Sequence, residues 1–234
     1  AYTELGLYKE IVKNFPNDIN ELCLLQRHQT IHPFDLTNIE MIDNKESIYG
    51  DMTKIDKTRL IYENDIFPTA QSILAELLRR NVNYSVNRDI NDKIHICCRE
   101  QSILLASILK VKNIAARVRS GFAKYAIDND YQAGDHWITE YYNENLKRWV
   151  LVDADMYFWQ DEIDFDLLDI PNDKFIFGAE AYLGLRNGKY KTEEIFYSSD
   201  PVTFGLKAAI RGLFYDFHSL MNDEIIFLHV PKYI

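Results

Sequence analysis

Cysteine is scarce in this chain: three residues, Cys23, Cys97 and Cys98. Neighbouring cysteines bridge each other only with strained geometry, so no disulfide framework is written here, and a reducing, cytoplasmic compartment is the expectation. Long apolar runs are missing as well. The longest, such as 102–109, fall far short of a bilayer crossing, and the first residues carry no basic-then-apolar pattern, so a soluble product with no membrane partner is expected. Positive charge is also in short supply: 26 Lys and Arg stand against 36 Asp and Glu, for a formal charge of −10. No concentrated Lys/Arg surface is spelled out, which argues against nucleic acid as a partner. Internal repeats, low-complexity tracts and a convincing domain break are absent, so residues 1–234 read as one globular unit. With 47% hydrophobic residues, the chain can bury a real core.

The apolar spacing within that unit predicts helices over Thr3 to Phe15 and Asp18 to Thr30, separated by Pro16, then a polar loop region from His32 to Asn64. That region is too rich in Ile, Leu and Tyr for a disordered linker and belongs to the same globule. Phe67-Pro68-Thr69 opens an amphipathic helix running to Arg80. Ser102 to Val111 is apolar nearly all round, the mark of a helix buried on every side. Glu100 falls in its first turn, Lys110 and Lys112 in its last, and Asn113 can adopt the left-handed conformation that ends it. Three strand-like runs follow, Ala115 to Tyr125, His136 to Asn143 and Lys147 to Ala154, most simply an antiparallel meander. Helical pattern returns at Gly178 to Arg186 and Val202 to Met221.

Chemistry enters where these elements meet. A hairpin with Glu144-Asn145 at its tip sets Asn143 opposite Leu146 and His136 opposite Asp153. Directly opposed residues share a sheet face with Cβ atoms roughly 4.5–5.5 Å apart, which suits a carboxylate bonding one imidazole nitrogen. The other nitrogen is then free to take a proton from a thiol. Cys98 stands where the buried helix begins, and a helix N-terminus offers partial positive charge and free N–H groups that lower a thiol pKa and bind an oxyanion. Asp135 and Asp155 are the competing carboxylates; both rank second, since adjacent strand residues point to opposite faces and Asp155 has no partner in this register.

The residues themselves resemble a known family. Cys98-Arg99-Glu100-Gln101-Ser102, the apolar stretch 104–109 and Asn113-Ile114-Ala115-Ala116-Arg117 are similar to the transglutaminase-like superfamily pattern of Cys-Arg-Asp, an apolar helix and Gly-Ile-Pro-Ala-Arg. The blocks Asp135 to Tyr141 and Arg148 to Ala154 resemble that superfamily's His and Asp motifs, in the same order. Ile31-His32-Pro33-Phe34, the 165–177 stretch, Gly178-Ala179-Glu180-Ala181 and the 216–224 segment resemble an uncharacterised bacterial subgroup. The resemblance implies an α+β, papain-like core over about residues 66–156: a buried helix with Cys98 at its N-terminus packed on an antiparallel sheet carrying His136 and Asp153, flanked by helical extensions from both ends. It implies an enzyme that forms a thioester acyl-enzyme from a peptide, protein or small amide. Water as acceptor makes it a peptidase, amidase or deamidase, and an amine makes it a transglutaminase. Hydrolysis is the commoner outcome in bacterial members. Where the subgroup has Asn and classical members have Gln before the nucleophile, this chain has Cys97, so a side-chain oxyanion donor is missing from that position.

Trp137 beside the base is the expected wall of an acyl-donor groove, and Arg119, Tyr131 and Glu140 are the expected substrate contacts. No cofactor and no metal is expected, and no motif requires calcium. Two other classes stay open: a catalytically silent binding module on the same fold, and a metal or redox protein centred on His95, Cys97 and Cys98. The second is short of ligands, because structural zinc draws paired ligands from a second segment and none is present. His28 and His32 are read as surface or core residues, since Pro33 ends any helix that would align them.

Overall fold

The buried helix forms where its composition demands: α5, Cys98–Val111, has twelve residues from Cys98 to Leu109 sequestered from solvent. It ends through Asn113, whose φ of 61° is the left-handed conformation its side chain tolerates. The computed structural model describes residues 1–127, 132–198 and 200–230. Before α5 come α1 (Lys9–Val12), α2 (Ile19–Arg27), α3 (Ile39–Ile42) and α4 (Ala70–Arg80). Thr69 and Ser72 cap α4 reciprocally, each side chain bonding the other residue's backbone N–H. The first predicted helix is shorter than its apolar spacing implied: a 3₁₀ turn, Gly6–Tyr8, leads into the single turn of α1.

The strands are β1 (Thr30–Ile31), β2 (Ile94–His95), β3 (Ala116–Ala123), β4 (Ala133–Asn143), β5 (Arg148–Val152), β6 (Phe175–Phe177), β7 (Ile195–Tyr197) and β8 (Asp200–Phe204), with α6 (Gly178–Arg186) after β6 and α7 (Gly205–Leu220) last. Strands β3, β4 and β5 form the antiparallel meander. The sheet is nonetheless mixed rather than purely antiparallel. It runs β6-β3-β4-β7-β8, with β5 on β4, and β7 joins β4 in parallel. The architecture is α+β, with α5 packed against β3 and β4 and α6 and α7 packed against each other and β3.

One core cluster collects residues from the whole chain, from Leu5 and Val12 through Leu104 and Val118 to Tyr215 and Ile225. A satellite core of Ile31, Leu36, Tyr49, Met52, Ile55 and Ile90 organises the polar 32–64 region, so its Ile, Leu and Tyr content acts as anchoring. Strand β1 pairs in parallel with β2, which ties this region to the residues leading directly into Cys98. Among the described residues, no helix is long and apolar enough to cross a membrane.

The hairpin register differs from expectation by two residues. Asn143 faces Arg148, not Leu146, and Thr139 faces Val152. The tip therefore holds four residues, 144–147, with Lys147 at φ 52°. Because side chains alternate with period two, a shift of two leaves every residue on its expected face. The candidate base and carboxylate stay neighbours on one face, meeting diagonally instead of directly.

Candidate active site

His136 lies on β4, and Asp153 follows the last residue of β5. Asp153 is fully buried, and its backbone N–H bonds the Leu167 carbonyl instead of continuing the ladder. The turn after it holds the carboxylate still: Oδ1 accepts the N–H groups of Asp155 and Met156, each at 3.0 Å. Oδ2 is left to face His136 Nε2 at 2.6 Å and to accept the Tyr125 hydroxyl at 3.0 Å. A carboxylate there places the imidazole proton on Nε2, so Nδ1 carries the free lone pair.

Cys98 is the first residue of α5, and Cys97, its N-cap, supplies no capping side chain. The Cys98 sulfur, a His136 ring nitrogen and an Asp155 carboxylate oxygen all lie within 4.8 Å of one another. The fold thus assembles a buried Cys-His-Asp cluster from a helix start, a strand and the residues just past a second strand. These groups line a cavity of about 810 Å³ that also receives His32, Asn64, Tyr125, Asp135 and Trp159.

Electrostatics separate the three groups. Burial disfavours the His136 imidazolium, but Asp153, with help from Asp155 and Asp135, outweighs it and raises the pKa above the ordinary histidine value. Burial would raise the Asp153 carboxyl, yet His136, the Met156 N–H and Tyr125 hold it below the usual range. Cys98 runs against the sequence expectation. Burial pushes its thiol well above the ordinary value, Asp155, Cys97 and Asp135 push it further, and the Trp137 backbone N–H opposes them. Desolvation and the neighbouring carboxylates thus favour the thiol form of Cys98, against the pull of the helix terminus.

Three of the residues expected to contact substrate, Trp137, Arg119 and Glu140, are not among those lining this cavity. Trp137 is fully buried in the core against Tyr215 and Phe227. It follows His136 on a pleated strand and therefore points to the opposite face. Arg119 is held by two bonds of 2.8 Å to Asp216 and by Glu140, and Glu140 also accepts from Arg117, its cross-strand partner. These charges neutralise one another along the β3–β4 ladder, away from the cavity lining. Tyr131 lies outside the described residues.

Other cavity residues were not expected. Asp155, ranked second for want of a strand partner, belongs to the cluster through the residues that follow β5. Asp135 also lines the cavity, accepting the Ser198 N–H and hydroxyl at 2.7 and 2.8 Å. His32 sits beside Asp155, Nε2 to Oδ2 at 3.8 Å, while its Nδ1 accepts the Phe34 N–H. Asn64 accepts the Cys97 thiol at 3.7 Å and faces the cavity; nothing local marks it, since it lies 34 positions before Cys98 in a polar stretch. His95 turns away, with Nδ1 bonded to the Leu60 carbonyl. Among the described residues the metal-competent trio is Cys98, His136 and Asp155, which takes in neither His95 nor Cys97. No family model, curated protein or solved structure matches this chain.

Proposed function

We propose that the protein is a cysteine-dependent acyl-transfer enzyme with a transglutaminase-like, papain-like core, acting on a peptide, protein or small amide. The carrying observation is the 2.6 Å bond between His136 Nε2 and Asp153, with the Cys98 sulfur, at a helix start, within 4.8 Å of a His136 ring nitrogen. The three sequence blocks around Cys98, His136 and Asp153 support the same reading.

In this mechanism the Cys98 thiol gives its proton to His136 Nδ1 as sulfur attacks the carbonyl carbon. Asp153 holds the resulting imidazolium and fixes its orientation. The tetrahedral oxyanion develops beside the first N–H groups of α5, where the helix dipole favours negative charge. Cys97 offers no amide donor, and Asn64, which accepts the Cys97 thiol and lines the cavity, is the amide side chain assigned that part. Collapse passes the proton from His136 to the leaving amine and leaves a thioester on Cys98. Water or a second amine then attacks the thioester, and Cys98 regains its proton.

The cavity walls bias the choice of substrate. Asp35, Asp65, Asp135, Asp155 and Glu162 line it against Arg27, whose guanidinium already bonds Tyr49 and Thr30. A substrate or acyl acceptor that carries a cationic group away from its reacting, neutral nitrogen is favoured there.

Reaction of native protein with iodoacetamide tests the proposal. Cys98 should be modified in the wild type and lose at least about tenfold in rate in His136→Ala. Equal rates in wild type and a folded His136→Ala variant would leave a silent binding module as the better description.

A further inference from the structure

We propose that Cys98, His136 and Asp155 form a coordination site for a zinc-class divalent cation, and that the bound ion masks the nucleophile. The coordination half stands on geometry alone; the masking half rests on the acyl-transfer reading. One sulfur, one imidazole and one carboxylate within 4.8 Å of one another make the mixed donor set that suits zinc and excludes calcium and magnesium, which require oxygen shells. Ligand atoms around a tetrahedral zinc sit about 3.5 Å apart. The trio therefore stands within about 1.3 Å of the spacing a zinc-class ion requires.

A second, independent feature points to a ligand. Asp155 is 5% exposed, and its Oδ1 has no hydrogen-bond partner among the described residues although the residue lines the cavity. A buried carboxylate oxygen left unpaired is costly, and a cation satisfies it. The supporting groups are also those of a metal site. Asp153 accepts the Nε2–H of His136 at 2.6 Å, which leaves the Nδ1 lone pair for the ion and orients the ring, the carboxylate–histidine–metal arrangement. His32 accepts the Phe34 N–H at Nδ1, so its Nε2–H faces Asp155 Oδ2 at 3.8 Å. That histidine steadies the ligating carboxylate instead of supplying a fourth ligand. Three protein ligands at the edge of a cavity leave one position for water, as at open zinc sites.

Charge and protons balance. Binding expels the Cys98 thiol proton to solvent, and one thiolate, one carboxylate and a neutral imidazole offset the dication. The sulfur lone pair that would attack a carbonyl is then held in the metal–sulfur bond. Chelation of the ion followed by uptake of one proton restores the thiol.

The test is a titration of chelator-stripped full-length protein with Zn²⁺ against a chromophoric chelator. One equivalent per chain should bind, unaffected by excess Ca²⁺ or Mg²⁺. Affinity should fall at least about tenfold in Asp155→Asn and in Asp153→Asn. Co²⁺ binding to the wild type should add a near-ultraviolet thiolate-to-metal absorption that Cys98→Ser lacks, a readout that needs no judgement of the carboxylate variants' folding. In the masking arm, saturating Zn²⁺ should stop iodoacetamide modification of Cys98, and chelation should restore it. Binding that is absent, or equally tight in Cys98→Ser and Asp155→Asn, overturns the site. Tight stoichiometric binding with a Cys98 unreactive even after chelation keeps the site and overturns the acyl-transfer reading on which masking rests.

Discussion

Replacing Asp153 by Asn removes one charge while preserving the shape of the site. The amide oxygen of the Asp153→Asn variant would keep both N–H bonds from Asp155 and Met156, so the turn after β5 is retained. The other terminus becomes an NH₂ where Oδ2 now meets His136 Nε2 at 2.6 Å. Donor facing donor is unfavourable, so the ring turns to its other tautomer, with a lone pair on Nε2 and the proton on Nδ1. Nδ1, the nitrogen to which the mechanism assigns the thiol proton, then cannot accept it. A hydrogen bond to a charged partner contributes about 1.5–3 kcal/mol net. Losing that from the thiolate–imidazolium state slows formation of the nucleophile roughly 10- to 150-fold. The loss adds to a thiol already held well above its usual range by burial and Asp155. The assay is iodoacetamide modification of native protein, quenched and quantified cysteine by cysteine. Cys23, fully buried, reports any unfolding because it should stay unmodified in every folded sample. A folded Asp153→Asn variant whose Cys98 reacts within twofold of wild type would refute this use of the carboxylate.

Other expectations follow from the same structure. The five cavity carboxylates among the described residues should disfavour anionic reagents: the iodoacetamide-to-iodoacetate rate ratio at Cys98 should exceed that of a free thiol by at least about fivefold at low salt and shrink toward it at about 1 M salt. His95 is 2% exposed, and burial, then Arg59, hold its pKa down to about 4. Its folded pKa lies below its unfolded value, so its contribution is complete above about pH 6.5 and is lost as pH falls toward 4. Wild type should therefore lose about 2–3 kcal/mol more than His95→Gln between about pH 7.5 and 4.5 in urea titrations; parallel losses would contradict it. A Cβ on Gly178 would lie 2.3 Å from the backbone of Gly212 and Leu213 in α7, so Gly178→Ala must push two helices apart. About 3 kcal/mol and a thermal midpoint lower by roughly 6–12 °C are expected by calorimetry; an unchanged midpoint would mean the helices do not touch there.

Local signals carried far in this chain. The apolar run behind Cys98, its charged ends and Asn113 define α5 because helix burial and termination are written within a few residues. Strands β6, β7 and β8 were not legible: they are three to five residues long and are stabilised by partners distant in sequence. The hairpin slipped by two because nothing in Glu144-Asn145-Leu146-Lys147 announces that Lys147 takes a positive φ. That error was harmless to the His136–Asp153 pair, since parity fixes the face. Parity was also the rule that would have sent Trp137 into the core. Arg119 and Glu140 read as substrate contacts when taken singly; on adjacent strands they find each other and Asp216. Asp155 and His32 could not be found by strand pattern, because the segment past β5 and the satellite core bring them to the cavity.

Acyl-enzyme formation tests the account most directly. Wild-type protein mixed with an activated acetyl ester and quenched in acid should gain one acetyl group per chain, mapped to Cys98. It should discharge faster when a primary amine is added, and neither Cys98→Ala nor His136→Ala should accumulate it. A folded wild type that takes no acetyl group, or takes it equally without His136, would contradict the claim that Cys98, His136 and Asp153 perform acyl transfer.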